Sequence, residues 1–194
     1  MSDRQTVPEL MDQDDVVDLL LAQHALIRDL FDEVEKASAQ ERPEAFQRLV
    51  RLLAVHETAE EEIVHPYARL KIDGGKEVVD DRLAEEHEAK QLLLEMDKAG
   101  AGDPRFLTNL AALRAAVMAH ARSEERYEFT QLRAHTSEAE RRALAVGVKA
   151  AEAMAPTHPH PGVESATANL LMGTPTAIMD RARDVIRQAM GKNG

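Results

Sequence analysis

Cysteine is absent from the 194 residues, which excludes disulfides, thiolate metal sites, iron–sulfur clusters and cysteine nucleophiles. Any metal must be held by nitrogen and oxygen donors. Tryptophan is also absent and aromatic residues are scarce, at 3%. Ala, Leu, Glu and Arg dominate, a composition that favours helices and lacks the β-branched and aromatic residues that fill strands. No run approaches the roughly 20 apolar residues of a membrane span. The first residues, MSDRQTVPELMDQDD, are acidic and carry no apolar signal core, so the expected location is the cytoplasm with no membrane partner. Basic runs are missing too, and the formal net charge of -11 argues against nucleic acid, whose phosphates need a concentrated basic face.

The remaining pattern is helical. From residue 14 to 36 the apolar positions Val16, Leu20, Ile27, Phe31 and Val34 recur at steps of three, four or seven, one buried stripe. Pro43 suits the first turn of a second helix reaching residue 70, with Phe46, Leu49, Leu53, Ile63 and Tyr67 inward. Gly74-Gly75 breaks the chain. A third helix over 77–99 points Val79, Leu83 and Leu94 inward, and a fourth over 104–134 points Phe106, Leu110, Leu113, Val117, Tyr127 and Gln131 inward. Short loops between long helices make neighbours antiparallel. The expected fold is all-α, an up-down-up-down four-helix bundle over residues 13–134 with a helical C-terminal extension over 135–194. In that extension Ser137 and Glu140 form a capping box for a helix ending near Met154. A proline-rich linker at 156–162 follows, then an amphipathic helix from Pro175, a candidate surface for homo-oligomer formation.

The inward stripes contain residues foreign to an ordinary core. His24 occupies a core position of the first helix, His56 and Glu60 two core places of the second, His87 one of the third, and His120 and Glu124 two of the fourth. The spacing repeats: 87 − 24 = 63, while 120 − 56 and 124 − 60 are both 64. A duplicated helical hairpin would set two equivalent half-sites face to face. Buried carboxylates need partners, and the basic residues fall mostly on outer faces. Imidazole with carboxylate and no thiolate suits Fe, Mn or Zn, and carboxylates bridging two ions within a four-helix bundle are a known way to hold a di-iron unit. His65 falls five residues after Glu60, off the stripe, and His135 lies past the fourth helix; both are expected to be solvated, while His158 and His160 sit in the proline-rich linker, where they could bind only stray metal.

His24, the run His56-Glu57-Thr58-Ala59-Glu60-Glu61, His87, and the run His120-Ala121-Arg122-Ser123-Glu124-Glu125 together resemble the hemerythrin-like, HHE cation-binding family. The resemblance implies two non-haem iron ions, oxo- or hydroxo-bridged, with Glu60 and Glu124 shared, His24 and His56 on one iron, and His87 and His120 on the other. It also implies small ligands as partners: oxygen, peroxide or nitric oxide. Oxygen-carrying hemerythrins have a second histidine one turn from the third-helix ligand, whereas Leu83 and Gln91 stand there in this chain. Water, Gln91 or Glu57 could fill that place, which favours peroxide, oxygen or nitric oxide chemistry in stress defence, including catalase- or peroxidase-like turnover, over reversible oxygen carriage. The alternative function is storage or sensing of oxygen or iron without turnover.

Overall fold

The computed structural model describes residues 13–154, and the expected linker and last helix lie outside the described residues. The chain runs through α1 (Val16–Lys36), then α2 (Arg42–Ala59), which passes through a π-helical turn (Glu60–Val64) into α3 (His65–Lys71). Next come α4 (Gly75–Ala99) and α5 (Phe106–Ser123), the latter continuing through a second π turn (Glu124–Glu128) into α6 (Phe129–His135), and then α7 (Glu138–Met154). Counting α2–α3 and α5–α6 as single rods, the first four rods form the all-α bundle. No helix of the described residues is long and apolar enough to cross a membrane.

Local chemistry sets the boundaries. Asp15 caps α1 by accepting a hydrogen bond from the Val17 N–H at 2.9 Å. The second rod ends at Ile72, and Gly74 adopts the left-handed conformation, φ 64°, that L side chains avoid. Gly75 has no room for a side chain: a Cβ there would stand 2.6 Å from the Ala68 carbonyl oxygen. The capping box at the start of α7 is present, with the Ser137 N–H donating to Glu140 at 2.8 Å.

The core is divided. Ile27, Phe31, Leu49, Leu53, Leu93, Phe106 and Leu113 belong to one buried cluster, in which Phe46 meets Phe106 edge-on with ring centroids 4.9 Å apart. Val16, Leu20, Val64, Ala68, Val79, Phe129 and Leu132 belong to the other. Helix α7 completes this second cluster with Leu144, Val148 and their alanine neighbours, so the first part of the C-terminal extension is part of the bundle's core. Between the clusters lies a belt of buried polar residues drawn from all four rods.

Two sequence expectations are corrected by the packing. In the fourth rod Tyr127 is exposed and Gln131 half-buried, while Phe129 and Leu132 are buried. A π turn takes one more residue than an α turn, so the inward frame slips by one after Glu124. In α4 the buried positions are Val79, Arg82, Glu86, Ala89, Leu93 and Met96. Leu83 and Leu94 are only half-buried.

Candidate metal centre

Each long rod contributes to the polar belt. His24 comes from α1, His56 from α2 with Glu60 at the start of its π turn, Glu86 from α4, and His120 from α5 with Glu124 at the start of the second π turn. All six side chains are buried, and Glu60 and Glu124 have no exposed surface. Two groups of candidate ligand atoms converge, each with its atoms within 4.8 Å of one another. One is His24, His56, Glu60 and Glu124; the other is Glu60, Glu86, His120 and Glu124. The two carboxylates common to both groups come from the repeated His-x-x-x-Glu segments.

The structure thus brings together five of the six residues expected from the sequence and turns the sixth away. His87 is exposed, and its Nε2 lies 2.7 Å from Gln91 Nε2. Glu86 takes the inward place because the buried frame of α4 runs 79, 82, 86, 89, 93 and 96. Gln91 is exposed beside His87 and lies in neither group. Glu57 is buried at the wall of the belt, where its carboxylate lies 3.7 Å from the Lys90 ammonium.

The histidines share one arrangement. His24 Nδ1 is 2.9 Å from Glu125 Oε1, His56 Nδ1 is 2.7 Å from Gln23 Oε1, and His120 Nδ1 is 3.1 Å from Glu85 Oε2. Each outer acceptor is placed to take a proton from Nδ1, the arrangement that in metal-ligating histidines turns Nε2 toward the ion. The Nε2 atoms lie 3.3, 3.3 and 3.2 Å from Glu124, Glu60 and Glu124 respectively. None of these Nε2 contacts is a hydrogen bond: Nε2 of His24 and His120 and both carboxylate oxygens of Glu60 and of Glu124 are buried without a hydrogen-bond partner. Such atoms are costly unless a cation joins them. The donor set and its orphaned atoms therefore fit a metal.

The outer acceptors tie the site to the rest of the fold. Gln23 accepts from His56 and passes a hydrogen bond from its amide to Glu152 of α7. Glu85, which holds His120, is itself paired with Arg82 at 3.0 Å. The motif reading did not identify Gln23, Glu85 and Glu125 as partners, although Glu125 follows Glu124 directly and was visible as the second glutamate of the repeated pair.

His65 is the largest correction. It is buried, with Nε2 2.7 Å from Glu86 Oε1 and Nδ1 3.1 Å from Glu128 Oε1. The π turn is the reason: the His65 N–H donates to the Glu60 carbonyl five residues back, so the side chain falls beneath Glu60 instead of a third of a turn away. A further grouping of His65, Glu124 and Glu128 is thereby created, but His65 spends both ring nitrogens on carboxylates and so braces the belt. His135 is exposed. His158 and His160 lie outside the described residues.

Charge in the belt is strongly coupled. Burial works against the protonated forms of His24 and His120, yet for His24 the carboxylates of Glu124 and Glu125, and for His120 the charge of Glu124, prevail and raise both to about 9. His56 is pushed down to about 3 by burial and then by the charge of His24. Burial, followed by the charge of Glu124, holds the Glu60 carboxyl well above the usual carboxylate range. Burial also works to raise Glu124, but His120 and His24 outweigh it and hold Glu124 well below that range. Two identical residues in mirrored positions are thus shifted in opposite directions, as carboxylates packed together are. A cavity of about 10 Å³, room for about one water-sized ligand, opens beside His24, His56, Glu57, Glu86 and His120.

Comparison with known proteins places these features in context. The profile of the family described as the hemerythrin HHE cation binding domain matches residues 15–132, more than half of the chain. An uncharacterized hemerythrin-like protein of Schizosaccharomyces pombe is 23% identical over 176 residues, covering 89% of this chain and 87% of that protein. A DNA nickase of a Nostoc species is 28% identical over 138 residues, covering 71% of this chain but only 39% of the nickase. No solved structure matches the chain.

Proposed function

This chain belongs to the hemerythrin HHE cation-binding family, and on that premise we propose that it holds a pair of non-haem metal ions, iron in at least one position, which react with peroxide, oxygen or nitric oxide. The observation that carries this reading is the common orientation of His24, His56 and His120. Each has Nδ1 anchored by an outer acceptor and Nε2 aimed at Glu60 or Glu124, whose four carboxylate oxygens are buried without hydrogen-bond partners. His24 and His56 would hold one ion, Glu86 and His120 the other, with Glu60 and Glu124 shared. The iron would supply Lewis acidity and electrons to a small ligand.

The chain's own residues shape what can react. Each position has four protein donors, which leaves places for exchangeable ligands. The cavity next to these donors is small, about 10 Å³, a size that suits a small ligand better than a larger reductant or substrate. Two shells of apolar side chains, from Ile27 and Leu53 on one side to Val64 and Phe129 on the other, keep bulk water from the belt. At the cavity wall, buried Glu57, with the Lys90 ammonium 3.7 Å from it, is placed to exchange a proton with a bound ligand. Exchangeable places at both positions favour peroxide turnover over storage.

Metal analysis and an optical spectrum of the aerobically purified protein, followed by peroxide, test this. The reading expects about two ions per chain, charge-transfer absorption, and consumption of added peroxide. A long-lived oxygen complex that releases its ligand under vacuum, with peroxide untouched, would instead establish a carrier or sensor.

A further inference from the structure

The two halves of the centre are unlike, although the sequence repeat that builds them is regular. The position between His24 and His56 has two imidazoles and two shared carboxylates; the position between Glu86 and His120 has one imidazole and three carboxylates. The residue that would equalise them, His87, is exposed on the next position of α4. Glu86 is no accidental stand-in. Its Oε1 is 2.7 Å from His65 Nε2 and 3.7 Å from His120 Nε2, and the Lys90 ammonium lies 3.6 Å from its Oε2. His65 therefore holds Glu86 with Oε1 on the side of His120, and Lys90 partners the other oxygen. His65 is in turn held on its far side by Glu128, whose side chain has no exposed surface.

Donor type discriminates among divalent metals of similar size. Imidazole nitrogen suits iron and zinc, whereas carboxylate oxygen suits manganese, and the general preference for Fe²⁺ over Mn²⁺ weakens as nitrogen donors are replaced by oxygen. Resting on the two-ion reading above, we propose that the centre discriminates between its positions: the His24–His56 position takes iron, while the Glu86–His120 position takes a much larger share of manganese when both are supplied, allowing a mixed iron–manganese pair. His65 acts here as a positioning residue, because it keeps a carboxylate, and not a neighbouring imidazole, in the third-helix place.

The full chain, stripped with a chelator and reloaded without oxygen from equimolar Fe²⁺ and Mn²⁺ salts, provides the test. Anomalous diffraction at the iron and manganese absorption edges assigns each position, and elemental analysis gives the total. Protein purified from cells grown with both metals gives the same measurement without reloading. The proposal expects a manganese-to-iron ratio at the Glu86 position on the order of tenfold higher than at the His24 position. In the Glu86→His variant that difference should vanish, with iron in both places, and His87→Gln should leave it intact. Equal ratios at the two positions, or His87 in place of Glu86 at the second ion, overturn the proposal while leaving a paired centre standing. A total of one ion or fewer per chain overturns the paired centre itself, and this inference with it.

Discussion

The backbone N–H of His65 donates to the carbonyl of Glu60, five residues earlier and not four, and that widened turn decides what lies inside the second long helix. Phe129 repeats the relationship with Glu124. Both π turns start at a carboxylate of the metal belt, consistent with the concentration of such turns at functional sites. The duplication of the hairpin thus extends to a backbone irregularity that no side-chain pattern displays.

The slipped frame has a direct consequence for stability. Phe129→Ala removes a ring that is 2% exposed and stacks on His24 with centroids 5.6 Å apart, and should cost about 3–5 kcal/mol. Tyr127→Ala, at a position 54% exposed, should change stability by less than about 1 kcal/mol. Urea denaturation of the two variants measures both. An equal loss would mean that the helix continues without the extra residue.

His65 should behave as a buried ionic brace. Replacing it with alanine leaves Glu86 and Glu128, 1% and 0% exposed, without their shared partner, an effect worth about 3–5 kcal/mol. The metal-free protein at neutral pH is the sample to denature. A loss below about 1 kcal/mol would place His65 in solvent, where its position in a regular α-helix would put it.

These corrections show which parts of the site could be read from the residues. Positions such as Leu20, His24, Ile27 and Phe31 lie on a continuous α-helix, so a 3.6-residue period finds them, and the same holds for His56 to Glu60 and His120 to Glu124, which precede the irregular turns. The period fails downstream of those turns, where His65 was expected outside and Tyr127 inside. In α4 the failure has another cause. Both frames contain apolar residues, and the frame through Leu83 and His87 looks better by hydrophobicity than the true one through Arg82 and Glu86. Those two charged residues are buried because Glu85 and His65 satisfy them, a tertiary effect absent from any local pattern.

Adjacent residues on α4 should therefore behave oppositely. Glu86→Ala should release one of two bound ions and loosen the other, since the second position keeps only one donor besides the shared carboxylates. His87→Ala should leave the metal content unchanged. Elemental analysis of both variants after gel filtration decides the matter, and metal loss confined to His87→Ala would reverse the assignment of α4.

At the start of α7, acid stability depends on Glu140. The Lys71 ammonium at 2.8 Å, the Ser137 N–H at 2.8 Å and the Tyr67 hydroxyl at 2.7 Å hold its carboxyl down to about 2. A carboxylate lowered on folding binds fewer protons in the native state, so its contribution is present above the ordinary value of 4.5 and is lost as pH falls from there toward 2. The urea midpoints of the protein and of Glu140→Gln should differ at about pH 6 and approach each other at about pH 3. A difference that stays constant over this range would assign Glu140 no role in the acid transition.

The paired centre depends most on Glu60 and Glu124 being shared between two ions, and counting metal in the protein and in Glu60→Gln and Glu124→Gln tests this most directly. The intact chain should carry about two ions, and either substitution should reduce that to less than one, because a shared ligand serves both positions. Retention of a full ion at one position after either substitution, or a single ion in the intact chain, would contradict it.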